Sequence, residues 1–159
     1  REEFQDVDLS AALSAALALV APNIAEFQVE IETDTPDAPV LIRGSSLRVE
    51  QVMTNLLRNA IDAVEENAAP KVAVAIGVSN GQAWFQVADN GHGLGDATLN
   101  DLQEPFVSTR ESGRGMGLGL AISASIINDH GGTMTAHNAD SGGAVFTVTF
   151  PDADAEDAL

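Results

Sequence analysis

Hydrophobic and polar positions along the chain alternate between helical and strand periodicity. Leu13, Leu17 and Val20 recur at three- to four-residue spacing, which predicts a helix from Leu9 to Ala21 with Asp8 as its N-cap and Pro22 as its stop. Phe27 to Thr33 then alternates like a strand with one wet face, and Val40 to Arg43, beyond Pro36 and Pro39, reads as its hairpin partner. A long helix is expected from Ser45 or Ser46 to about Glu66, because Val49, Val52, Met53, Leu56, Ala60 and Val64 share one arc of its wheel. Val72 to Val78 and Ala83 to Ala88 read as strands joined by Ser79-Asn80-Gly81, a turn that hairpins favour.

From Asp89 to Gly119 the periodicity lapses into a stretch rich in Gly, Asp and Ser, long enough to read as a functional loop or lid. A helix from Leu118 to His130, closed by Gly131-Gly132, and two strands, Thr133 to Asn138 and Ala144 to Phe150, complete the pattern. Helices interleaved with hairpins predict an α+β fold: a two-layer sandwich whose mixed sheet of about five strands carries about three helices on one face. The domain is expected over residues 1–151, with 152–159 a disordered acidic tail.

Composition narrows the function. The chain has 159 residues, 45% of them hydrophobic, enough for one folded domain with its own core. Seven basic against 24 acidic residues give a net charge of −17, and Lys71 is the sole lysine, so nucleic acid and anionic membrane surfaces are unsuitable partners. There is no cysteine, which removes disulfides and thiolate metal sites and fits a cytoplasmic setting. Ala11 to Ala21 is about half the roughly 20 residues needed to cross a bilayer. The start at Arg1-Glu2-Glu3, with no Met, reads as a piece of a longer protein.

Three constellations carry candidate chemistry. Asn55 and Asn59, one turn apart on the long helix, lie with Asp62 and Glu66 on an arc separate from the core stripe, and Arg58 lies beside them. Asparagine is a mediocre helix former, so this is either a solvated face or a pair of hard oxygen ligands for a hydrated Mg²⁺ bridging phosphates. Asp89, at a strand end before Asn90-Gly91-His92-Gly93-Leu94-Gly95, is either part of a plain turn or an acceptor for an exocyclic amine such as adenine N6. Gly113, Gly115, Gly117 and Gly119 run into a helix start, where backbone N–H groups and the helix dipole make an anion site without lysine. The run matches neither a dinucleotide fingerprint nor a Walker loop.

Taken in order, these stretches resemble the four motifs of the catalytic and ATP-binding domain of bacterial sensor histidine kinases. Glu50 to Ala60 is similar to the N box, Asp89 to Gly95 to the first glycine box, Glu104 to Arg110 to the F box, and Gly115 to Leu120 to the second glycine box. The resemblance implies a Bergerat-type fold with ATP and Mg²⁺ as cofactors, Asn59 on the metal and Asp89 on the adenine amine. It further implies nucleotide contacts from Asn55, Arg58, Asp62, Gly91, Gly93, Leu94, Thr109 and Arg110, and from Gly115, Met116, Gly117, Leu118, Gly119 and Leu120. A lid over about 94–114, anchored by Phe106, would close on the nucleotide. The Gly-Gly-Ala-Val-Phe ending and Arg58 are most similar to sensors of C4-dicarboxylates or nitrogen.

Two departures from that pattern, and one difference from the hydrolytic ATPases of the same fold, bear on chemistry. Asp62 and Ala63 stand where many members carry a lysine and an aromatic, which leaves phosphate contact to Arg58 or Arg110. Ala144-Val145 replaces a frequent Thr-Thr. Asn55 occupies the place where gyrase and MutL, which share the fold, carry a general-base Glu; an amide cannot take that proton, so Asn55 and Arg110 are the candidate catalytic residues of a transferase with poor hydrolysis. His92, His130 and His137 are unsuited as phosphoacceptor, so the implied partners are a separate histidine-bearing dimerisation domain and a response regulator. The isolated domain is expected to be a monomer within a homodimeric protein. The competing readings are an ATPase clamp of the same fold and a nucleotide-binding module without transfer activity.

Overall fold

The computed structural model describes residues 4–94, 116–140 and 142–151. Asp8 ends a short strand, β1 (Gln5–Asp8), and its carboxylate accepts the Ser10 N–H at 3.0 Å, starting helix α1 (Leu9–Phe27). Pro22 lies inside this helix instead of ending it. The proline is exposed, as is Ala18, whose carbonyl it leaves without an intrahelical donor on the solvent side of the helix. Packing of Ile24 and Phe27 against the core carries the helix on until Gln28, at φ 53°, caps it. At 19 residues α1 is apolar and long enough by length and composition to cross a bilayer, well beyond the stretch read from sequence. Here its Leu9, Leu13, Ala16 and Val20 stripe is buried in the core.

The expected first hairpin does not form. Strand β2 (Glu30–Asp34) runs parallel to β4 (Lys71–Ser79), and β3 (Leu41–Gly44) pairs with β1 in a separate antiparallel ribbon. Pro36 and Pro39 make an irregular connection where a tight turn would be needed, and it carries the chain away from β2. Phe27 to Thr33 is thus a helix end and an edge strand. By contrast, β4 and β5 (Gln82–Asp89) form the expected hairpin around Asn80 and Gly81, whose φ values of 54° and 76° suit a primed two-residue turn.

The main sheet has the order β2-β4-β5-β7-β6, with β6 (Thr133–Asn138) and β7 (Ala144–Pro151); all neighbours except β2 and β4 are antiparallel. Val72, Val74, Ile76, Phe85, Val87, Val148 and Phe150 point from it into a core closed by helices α1, α2 (Ser46–Val64) and α3 (Met116–Asp129). This is the predicted mixed five-stranded α+β sandwich. Ser45 caps α2 by accepting the Arg48 N–H, and the predicted apolar stripe of α2 is buried throughout. Helix α3 starts two residues earlier than expected, so Gly117 and Gly119 belong to its first turn.

His130, just past α3, ties these helices together. Its Nε2 accepts the Ser45 N–H at 3.1 Å and its Nδ1 faces the Ile126 carbonyl at 2.8 Å, so the ring is the neutral Nδ1–H tautomer. Phe4 stacks on it, with ring centroids 4.6 Å apart. An ion pair between Arg48 and Asp129, 2.6 Å long, adds a second link between the start of α2 and the end of α3.

Candidate nucleotide site

One face of α2 organises the site. Asn55, Asn59 and Ala63 follow one another at intervals of one turn, and each meets a different part of the fold. Asn55 donates through Nδ2 to the Gly119 carbonyl at 3.4 Å and the Ser123 hydroxyl at 3.3 Å, both on α3. Ala63 lies against Gly91, so closely that a Cβ on the glycine would collide with the Ala63 carbonyl. Asn59 stands between these two contacts. Its Nδ2 is buried with no hydrogen-bond partner among the described residues, a condition that costs roughly 1–3 kcal/mol. An amide NH₂ left without a partner on the helix face between two glycine segments is available to an acceptor on a ligand.

Asp89 closes β5 on the other side. One carboxylate oxygen accepts the backbone N–H groups of Gly91 at 2.9 Å and Ala144 at 3.3 Å, and the residue is only 8% exposed. Burial pushes its carboxyl above the ordinary carboxylate range, against the opposing pull of those two bonds and of nearby His92. The second oxygen remains available to a donor. Gly143, at φ 88°, packs so tightly behind this residue that a Cβ would strike the Asp89 carbonyl.

Several supporting residues escaped the sequence reading. Asn138, at the end of β6, accepts the Leu94 N–H at 2.7 Å and sits beside Gly93. Asn90 bonds the backbone of Ala69 and Lys71, and Asn67 donates to the Asn90 carbonyl, so the Asp89 loop is clasped to the turn between α2 and β4. Glycine and asparagine hint at turns in sequence; which distant backbone they grip is not encoded locally.

A family model described as histidine kinase-, DNA gyrase B- and HSP90-like ATPase matches residues 44–154. The chain belongs to this family. More specifically, it is the ATP-binding catalytic domain of a sensor histidine kinase. It is 35% identical over 142 residues to the C4-dicarboxylate transport sensor protein DctB of Pseudomonas aeruginosa, covering 89% of this chain and 23% of DctB. With the sensor protein FixL of Bradyrhizobium diazoefficiens it shares 33% identity over 147 residues, 92% of this chain and 29% of FixL. The chain thus spans less than a third of the length of these relatives. Among solved structures, the nucleotide-free catalytic domain of histidine kinase ThkA superposes with a TM-score of 0.84 at 26% identity, covering 95% of this chain and 97% of that one. Full-length ShkA in complex with AMPPNP gives 0.80 at 29% identity, covering 96% of this chain and 32% of ShkA.

Placed in this domain, the predicted site residues separate into groups. Gly91 meets the face of α2 at Ala63 and the backbone of Gly119 meets it at Asn55, with Asn59 between them; Asp89 is bonded to Gly91, and Gly93 and Leu94 gather at Asn138. Arg58 lines a groove of about 400 Å³ together with Asn55, Glu50 and Thr54, and it also borders a small cavity of about 80 Å³ with Asp62, Asn23 and Ile61. Leu120 is fully buried, so its side chain is core, and only its backbone is on offer to a ligand. Met116, Gly117 and Leu118 supply the first turn of α3. Thr109, Arg110, Gly115, Phe106 and the lid beyond Leu94 lie outside the described residues, as does the tail at 152–159. Ala144 contacts Asp89 through its backbone N–H, a contact that needs no hydroxyl at this position.

Proposed function

We propose that this domain transfers the γ-phosphate of ATP to a histidine on a separate helical dimerisation domain, in the cytoplasm, in a homodimeric kinase that serves a response regulator. The observation that carries the reading is Asn59, whose amide Nδ2 is buried without a partner among the described residues, on the helix face between the first glycine loop and the start of α3. In this reading Asp89 takes the adenine N6 amine on its free oxygen, and the first turn of α3 offers N–H groups to the phosphates. ShkA, similar over nearly the whole domain, binds AMPPNP in its structure.

Asn59 also fits a Mg²⁺ ion, since its carboxamide carries a hard neutral oxygen of the kind that suits a cation that keeps most of its water and takes few protein ligands. When bound, the ion would neutralise charge on the phosphates. This chain's own part is to hold the amide in place, anchored one turn to either side by Asn55 and Ala63. Asn59→Ala is expected to weaken ATP binding about ten- to a hundredfold with Mg²⁺ present and to leave metal-free binding nearly unchanged. Titration calorimetry with and without Mg²⁺ measures this; equal losses in both conditions would show that Asn59 acts structurally.

The transfer itself is tested by adding γ-labelled ATP to this domain together with the histidine-bearing helical segment of the parent protein. An acid-labile phosphohistidine on that segment is the expected product. Labelled ATP that binds but leaves the segment unmarked, with the parent protein active, would favour a nucleotide-binding module instead. Similarity to DctB suggests a small-dicarboxylate sensor as the parent.

A further inference from the structure

Ser123 is the fully buried hydroxyl of α3, and its described partner is Asn55 of α2. It sits one turn after Gly119, so the single Asn55 amide reaches two successive levels of α3: a backbone carbonyl in the first turn and a side-chain oxygen in the second. A buried serine in a helix interior has no propensity advantage over alanine, and hydrophobic packing alone would favour a methyl. The hydroxyl therefore has a polar task, and the geometry shows which one.

We propose that Ser123 is a positioning residue for the phosphate end of the nucleotide site: through Asn55 it sets the first turn of α3 at the level of Asn59. The inference rests on the ATP-binding reading above. Helix N-terminal N–H groups bind an anion only when they point at it, and the field falls off within one turn, so a small rotation of α3 about its axis weakens that contact. Two bonds at different heights resist such a rotation better than one. Serine at 123 gives Asn55 its second bond. The adenine end stands apart from this device, because Asp89 is held by Gly91 and Ala144, neither of them on α3.

This separation makes the proposal testable by calorimetry with two ligands, Mg²⁺-ATP and adenosine. Ser123→Ala is expected to weaken ATP binding about tenfold while adenosine binding stays within twofold, because only the phosphate end is displaced. Asn55→Ala, at a half-buried position, should give the same split. The double variant should be no worse than Asn55→Ala alone, since the two residues act as one unit. Equal losses for ATP and adenosine, unchanged ATP binding in either single variant, or additive losses in the double variant would each overturn the proposal. If Ser123→Ala lowers the melting temperature too far to measure binding, Ser123→Cys, which keeps the volume and replaces the hydroxyl by a weak acceptor, takes its place with the same expected split and the same contrary outcomes. Wild-type protein that binds no ATP at all would overturn the nucleotide reading itself, and the positioning role with it.

Discussion

Replacing Asp89 by asparagine is expected to weaken ATP binding about ten- to a hundredfold and, in the same protein, to raise the melting temperature of the unliganded domain at pH 7. The two effects come from one geometry. Gly91 and Ala144 both present N–H groups to one oxygen of Asp89, so an asparagine must place its own oxygen there and turn its NH₂ outward. Where the wild type has an acceptor, the variant then has a donor, and it faces the N6 amine of adenine. A buried clash of like groups costs roughly 1–3 kcal/mol, which sets the expected loss. The stability gain follows from burial, which raises the carboxyl above its ordinary range. A raised acid pKa means that the folded state holds a proton more tightly than the unfolded chain, so wild-type stability falls as pH climbs from the ordinary carboxylate value through the folded one. Asparagine never ionises and avoids that penalty. The melting difference should therefore be largest at neutral pH and shrink towards pH 4. A variant that melts below wild type at pH 7, or binds ATP as tightly, contradicts the assignment of Asp89.

The isolated domain is expected to hold ATP and hydrolyse it on the order of 10²–10⁴-fold more slowly than relatives of the same fold that carry a general-base glutamate. Asn55 occupies that place, and the structure adds a second reason beyond its inability to accept a proton. Its Nδ2 is directed into α3, towards Gly119 and Ser123, so the side chain is engaged in holding a helix rather than orienting a water. A kinase gains from this arrangement, because a γ-phosphate that resists water waits for its proper acceptor. Steady-state phosphate release from the purified domain measures the rate. Turnover at the level of a glutamate-bearing ATPase would shift the reading to a clamp that spends ATP on its own motion.

What the chain disclosed in advance depended on how local each signal was. Helix α2 was legible because its cap, its apolar stripe and its misplaced asparagines all lie within one periodic segment. The β4–β5 hairpin was legible for the same reason, its turn residues adopting the positive φ that Asn-Gly invites. Pro22 misled because local propensity argued for a stop, while Ile24 and Phe27 supplied tertiary contacts that outweighed one missing bond. Strand β2 misled because alternation shows a strand's face and not its partner; parallel pairing with β4 joins residues about 40 positions apart, and no local turn announces it. In the site, Asp89 and Asn59 stood out by residue type and position. The glycines gave less away: Gly91 is needed against Ala63 and Gly143 against Asp89 itself. Backbone-to-backbone contact between distant segments leaves no pattern in either segment alone.

The link from His130 to Ser45 has a consequence for the timing of costs. The start of α2 is fixed to the end of α3 by an imidazole and an ion pair, while its middle is fixed to the start of α3 by Asn55. Two helices joined at two levels have little freedom to slide or splay. The entropy of arranging Asn59 opposite the first turn of α3 is therefore lost once, when the chain folds, and not again at each encounter with nucleotide. Binding draws on a frame already assembled, and its free energy remains for the adenine and phosphate contacts themselves.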